Sequence, residues 1–191
     1  MPQASIRGRR QATSRDEIAA AALRLFDVRG YADVTTDDIA AEVGVSRRTY
    51  FRYFASKADV IWNDFDLEVT ALERQLATYA SGSSLHEVIR SAVVAVNRAH
   101  NDDIPNLAAR MRLITLTPAL AASANAHYDA WAQVITRFAA ARLGIGQDAL
   151  EALTIGRSTL AAARAAYEVW LREGTDPLTE YLDRALRVLW P

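Results

Sequence analysis

The chain has 191 residues, 51% of them hydrophobic, with 22 basic and 23 acidic side chains and a net charge of −1. It contains no cysteine, which excludes a disulfide framework, a zinc finger and thiol chemistry. Charges stand where a secretory signal needs an apolar run, and no stretch approaches the ~20 apolar residues of a membrane span, so a cytoplasmic protein without a membrane partner is expected.

Residues 1–13 form a basic arm, with Arg7, Arg9 and Arg10 around Gly8 and almost no apolar content. The arm is expected to lack structure alone. It could enter a minor groove or track phosphates on DNA, or be a plain flexible terminus; composition leaves both open. Ser14 and Glu17 then make a capping box ahead of Ile18, Ala21, Ala22, Leu25 and Phe26 at helical spacing, and Gly30 stops that helix. Thr35 and Asp38 repeat the device for a second helix with Ile39, Ala40 and Val43 on its apolar face. Gly44 ends it, where a left-handed residue is needed. Ser46 caps a third helix two residues later, and Ser56 with Asp59 caps a fourth, expected to run to about Tyr79.

On the third helix Tyr50 and Phe54, at i and i+4, form the apolar side. Arg47, Arg48, Thr49, Phe51, Arg52 and Tyr53 are left to other faces. A polar, arginine-bearing helix joined by a tight turn to the one before it is a helix-turn-helix, built to enter the major groove. The plain alternative is a solvated face on a helical hairpin; interleaved aromatic and arginine residues favour the groove. Arg47, Arg48 and Thr49 are expected on base edges, and Thr36, Phe51, Arg52, Tyr53 and Lys57 on the sugar-phosphate backbone. Asp37 and Asp38 would repel phosphates, so each must face away, cap the helix or pair with an arginine. Through Lys57 the chain has ten basic against seven acidic residues; beyond it, twelve against sixteen. The groove-reading part is the basic one, and the acidic remainder should bind something else.

That remainder, residues 58–191, shows no strand signals. Ser84 and Glu87 cap a helix carrying Leu85, Val88, Ile89, Ala92, Val93 and Val96, which Asn101, Asp102 and Asp103 end. Pro105 opens the next, with Leu107, Met111 and Ile114. Thr117-Pro118 opens a long one that Gly144 and Gly146 follow. A helix over about 147–173 and a last one, opened by Asp176-Pro177 and ending at Trp190, complete an all-α chain of about nine helices.

The last two helices suggest a homodimer. Small Gly156 and Ala163 allow close approach, and Leu160, Tyr167, Leu178, Leu182 and Leu186 supply larger contacts, unless these residues only pack inside the protomer. The middle helices suggest a small-molecule cavity walled by Trp62, Phe65, Val69, Val93, Val96, Met111, Ile114, Tyr128, Trp131, Ile135 and Tyr167. Asn97, Arg110, His127 and Arg164 would be its polar anchors, against the alternative that the aromatics are plain core.

The segments SRDEIAAAALRLFDVRGY and TTDDIAAEVGVSRRTYFRYFASKADV resemble the tetracycline-repressor (TetR) family over about residues 14–60. The resemblance implies a dimeric repressor on a palindromic operator, with a helix-turn-helix domain over 14–57 and a ligand-binding and dimerisation domain over 58–191. The family's lysine at the start of the fourth helix falls on Lys57, implying a phosphate contact there. Phe51 stands where the family more often has tyrosine, which removes one phosphate hydroxyl contact. FRYFASKADVIWNDFD, RMRLITLTPAL, SANAHYDAW and AAYEVWL are similar to the branch found beside mycofactocin biosynthesis genes. That likeness implies a long-chain acyl-CoA effector, with arginines on its phosphates.

Enzymatic readings are weak. His86, His100 and His127 sit on separate segments without ligand spacing, and no phosphate loop or nucleophile elbow occurs. No catalytic residue, metal or cofactor is expected. A helical enzyme or a scaffold with a degenerate helix-turn-helix remains the alternative to a DNA-binding regulator released by a small, largely apolar ligand.

Overall fold

A computed structural model describes residues 13–79, 82–98 and 104–190. Most of the basic arm, His100 and the 101–103 turn lie outside the described residues. Among those described, nine α-helices and one 3-10 helix occur in chain order, with no strand. They are α1 (Arg15–Arg29), α2 (Thr36–Glu42), α3 (Arg47–Tyr53), the 3-10 helix (Ala58–Trp62), α4 (Phe65–Ala77), α5 (Leu85–Arg98), α6 (Ile104–Leu116), α7 (Pro118–Leu143), α8 (Leu150–Glu173) and α9 (Leu178–Leu189). The chain divides into two compact units, the first ending at Asn63 and the second beginning at Asp64.

In the first unit the caps are formed by side chains three residues apart. Ser14 Oγ accepts from the Glu17 amide at 3.1 Å, while the Ser14 amide donates to the Glu17 carboxylate at 3.0 Å. Thr35 and Asp38 make the same reciprocal pair. Their bonds, with Arg29 beside them, pull the Asp38 carboxyl down to about 2. Gly44, at φ +69, reverses the chain between α2 and α3, and the next amide, of Val45, donates to Ala40 O at 2.8 Å. Ile18, Phe26, Ile39, Tyr50 and Phe54 are buried together with Val60 and Ile61 in this small unit.

The expected fourth helix is in two pieces. Ser56 and Asp59 cap each other as expected, but the element they open is the 3-10 helix, with Val60, Ile61 and Trp62 all buried. Three consecutive buried side chains do not fit the one-sided stripe of a surface α-helix. Asn63 then accepts from Arg15 Nε at 2.7 Å and donates to Asp16 at 2.9 Å, fastening the chain to the start of α1. The α-helix resumes only at Phe65.

The second unit is a helical bundle whose core includes Leu72, Val88, Ile89, Val134, Ile135, Trp170, Leu178, Leu182 and Leu186. Pro118 opens the 26-residue α7 and Gly144, at φ +67, closes it. Pro177 is the N-cap of α9 rather than its first helical residue, so Asp176 lies one position too early to cap it. The helix expected from about residue 147 starts at Leu150.

Most residues of the expected dimer stripe have partners inside the protomer. A Cβ on Gly156 would lie 2.1 Å from Thr136 Oγ1 and 2.7 Å from the Ala132 carbonyl, so this glycine serves the approach of α8 to α7 inside the protomer. Ala163, Leu178, Leu182 and Leu186 are likewise buried in the protomer's own core. Small and branched residues at helical spacing satisfy an internal partner as well as an external one, and here the internal partner has them. Leu160 and Tyr167 are half-buried.

Candidate nucleic-acid interface and a helical cavity

The third helix is only seven residues long, too short to be stable alone, and is fixed by its anchors. Tyr50 and Phe54 are buried, and the Tyr50 hydroxyl donates to the Ser56 carbonyl at 3.1 Å, tying the exit of α3 to its own helix. Burial, with Asp59 and Tyr31 nearby, pushes that hydroxyl up to about 12. The opposite side of α3 faces solvent with Arg47, Arg48, Phe51 and Arg52 exposed. Phe51 meets the Tyr50 ring edge-on at 5.4 Å and is 42% exposed, an apolar plate among guanidinium groups.

The other expected DNA contacts are more constrained. Thr49 is half-buried, its hydroxyl 2.9 Å from Ser46 Oγ, and Thr36 is half-buried at the start of α2. Arg47 Nη1 donates to Asp37 Oδ2 at 2.8 Å, so Asp37 takes the arginine-pairing option and Asp38 the capping one. Arg52 lies over the Tyr53 ring at 5.0 Å, and the Tyr53 hydroxyl donates to Thr13 O at 2.9 Å. Lys57 is turned inward. Its Nζ donates to the carbonyls of Tyr31 at 2.7 Å and Val34 at 2.8 Å, 4.1 Å from the Tyr31 ring centroid. Burial lowers its pKa, with Asp33 opposing. Two of the three ammonium hydrogens thus bind the α1–α2 connection, a use its sequence position did not announce.

In the second unit a cavity of about 350 Å³ opens between α6, α7 and α8. It brings together Met111, Ile114, Tyr128 and Tyr167 from the candidate walls with Arg164, whose guanidinium lies 5.0 Å over the Tyr128 ring. The Tyr167 hydroxyl donates to Asn97 Oδ1 at 2.5 Å, and its burial pushes its pKa well up. Burial raises the Tyr128 hydroxyl too, against the pull of Arg164.

The remaining expected wall residues lie elsewhere. Ile135 is fully buried core; Val69, Val96 and Trp131 pack half-buried against that core; Val93 is buried within it. Phe65 stands edge-on to His127 at 5.2 Å. Arg110 pairs with Glu68 at 2.8 Å, both largely buried. Trp62 belongs to the first unit. The walls that sequence reasoning missed are Thr115, Ala121, Ala124, Ala161, Ala165, Glu168 and Leu171. Four of these are alanines on α7 and α8, whose small side chains here leave space.

A family model described as bacterial regulatory proteins of the tetR family matches residues 18–61, and one described as the MftR C-terminal domain matches residues 83–191. The chain is 37% identical over 189 residues to a Mycobacterium tuberculosis protein named as the mycofactocin biosynthesis transcriptional regulator MftR, covering 99% of this chain and 96% of that one. Among solved structures it resembles Thermus thermophilus FadR, a TetR-family repressor in complex with lauroyl-CoA (TM-score 0.64, 24% identity, 92% of this chain and 93% of that one). It also resembles the fatty acid degradation regulator FadR of Bacillus halodurans (TM-score 0.70, 17% identity, 95% and 96%). At these identities the two structures bear on the fold alone.

Proposed function

This chain belongs to the TetR family of bacterial transcriptional regulators, in the branch with an MftR-type C-terminal domain, and from that premise we propose that it is a homodimeric repressor released from a palindromic operator by an apolar small molecule. The observation that carries the groove reading is the two-sided build of α3. Tyr50 and Phe54 are buried on one side, and Arg47, Arg48, Phe51 and Arg52 are presented on the other. Guanidinium forks suit guanine edges and phosphates alike, and Arg48 is the freest of them. A dimer would set two such helices about 34–36 Å apart on the two half-sites. Leu150 on α8 and Val188 on α9 are exposed and Leu160 is half-buried, apolar side chains that remain available to a second copy of the chain. A DNA-binding role fits a cytoplasmic protein.

For the effector, the cavity between α6, α7 and α8 combines apolar walls from Met111, Ile114, Leu171 and four alanines with polar groups from Thr115, Tyr128, Arg164, Tyr167 and Glu168, which suits an amphipathic small molecule. The lauroyl-CoA complex of Thermus thermophilus FadR makes an acyl-CoA a reasonable first ligand, with Arg164 near its polar end. The two units are joined through Asn63–Asp64, so rearrangement of α4 can pass along the chain to the groove reader. The ligand must bind the DNA-incompetent state more tightly, since equal affinity shifts nothing. Recovering and sequencing genomic fragments bound by the purified protein, then adding lauroyl-CoA, lauric acid and CoA separately, tests this reading. Release by lauroyl-CoA alone supports the acyl-CoA class; selective binding with no release by any of the three overturns it. No sequence-selective fragment at all would overturn the groove reading.

A further inference from the structure

The three arginines on α3 are held in different ways. Arg48 is exposed and makes no hydrogen bond or ion pair among the described residues. Arg52 lies over the ring of its neighbour Tyr53. Arg47 is held by groups on two helices. Its Nη1 donates to Asp37 Oδ2 on α2 at 2.8 Å, and its guanidinium carbon stands 5.4 Å from the Phe51 ring centroid on α3. The opposite edge of the guanidinium, Nε and Nη2, carries no protein hydrogen bond among the described residues.

Asp37 is not required for the fold in an obvious way. The capping of α2 is done by its neighbour Asp38, and Asp37 is itself exposed. A carboxylate on a surface meant for phosphates weakens general attraction to DNA. In water an exposed pair of this kind stabilises little. Its leverage begins when DNA covers it and removes the screening solvent.

We propose that Asp37 is a specificity-determining positioning residue that holds Arg47 with its free Nε/Nη2 edge presented to the O6 and N7 of a guanine. This rests on the groove reading given above. Held this way, Arg47 reads one base pair in each half-site with a bidentate contact. On a site without guanine there, the arginine could reach a phosphate only by leaving Asp37 unpaired among phosphates. That penalty acts against wrong sequences rather than for the right one.

The test uses full-length wild type, Asp37→Asn, Asp37→Ser, Arg47→Ala and Arg48→Ala. Each is titrated against a duplex that the wild type selects from a random-sequence pool, against every single-base-pair variant of that duplex, and against poly(dA-dT). Removing the carboxylate should tighten binding to poly(dA-dT), which has no O6/N7 acceptor pair. It should also lower the preference at one G·C pair per half-site from about ten-fold or more to about two-fold. Arg47→Ala should lose the preference at that same pair. If both Asp37 variants keep it while Arg47→Ala and Arg48→Ala bind weakly, the positioning role is wrong and the groove reading stands. If Arg47→Ala and Arg48→Ala bind like wild type, both fall together.

Discussion

At the scale of single residues, Lys57 is where position and geometry pull apart. Its place at the end of the helix-turn-helix implies a phosphate contact, yet its ammonium binds two carbonyls between α1 and α2. If the carbonyls are its main partners, Lys57→Met should lower the melting temperature and weaken operator binding without changing the salt dependence. Lys57→Arg should not restore either, because a planar fork cannot replace a point ammonium at two converging carbonyls. A phosphate role instead predicts that arginine rescues, and that methionine flattens the log–log salt slope by about 0.9 per lost contact. Asp38 gives a pH signature. Its carboxyl falls from 3.8 to about 2 on folding, chiefly through the Thr35 hydroxyl. A depressed carboxyl adds stability above its unfolded pKa, and that stability is lost as pH falls through the folded one. The thermal midpoint of wild type should therefore drop more steeply between pH 4 and 2 than that of Asp38→Asn.

Among the elements, the α7–α8 contact is the most exacting. Gly156 lies in mid-helix, where alanine would normally be favoured by about 1 kcal/mol. Here a methyl would run into the Ala132 carbonyl, which is backbone and cannot step aside cheaply. Gly156→Ala should therefore destabilise by about 1–3 kcal/mol, lowering the melting temperature by several degrees in a calorimetric scan. Thr136→Ala in the same background should recover only part of this, since the hydroxyl at 2.1 Å is relieved but the carbonyl at 2.7 Å is not. The short elements of the first unit follow a different logic. Helices α2 and α3 have seven residues each and persist because both ends are capped or anchored.

For the molecule as a whole, two units imply two separable kinds of variant. Arg164→Ala and Tyr128→Phe alter the cavity of the second unit only. They should shift the effector concentration needed for release while leaving effector-free operator affinity within about two-fold of wild type. Arg48→Ala should do the reverse, costing about 1–3 kcal/mol of operator binding if it meets a base. A dimer is expected by sedimentation at micromolar concentration, and replacing exposed Leu150 or Val188 by Asp should move it toward monomer more than any change at buried Leu182 that still folds.

The local rules carried far in this chain because their causes are local. Ser14 with Glu17, Thr35 with Asp38, and Ser46 with Thr49 meet three residues apart, so the caps, the Gly44 turn and the arginine face of α3 were legible in the sequence together with the family. What tertiary structure decided is which partner each ambiguous surface meets. Helical spacing marks Gly156, Ala163, Leu178, Leu182 and Leu186 as contact residues but does not say whether the contact is internal, as it is here. Nor does it say whether facing alanines, such as Ala124 and Ala165, close a gap or leave one. Lys57 and the break at Asn63 depend on carbonyls and carboxylates far off in sequence, at Tyr31, Val34 and Asp16. Periodicity gives the direction in which a side chain leaves its helix, and only packing determines what stands opposite.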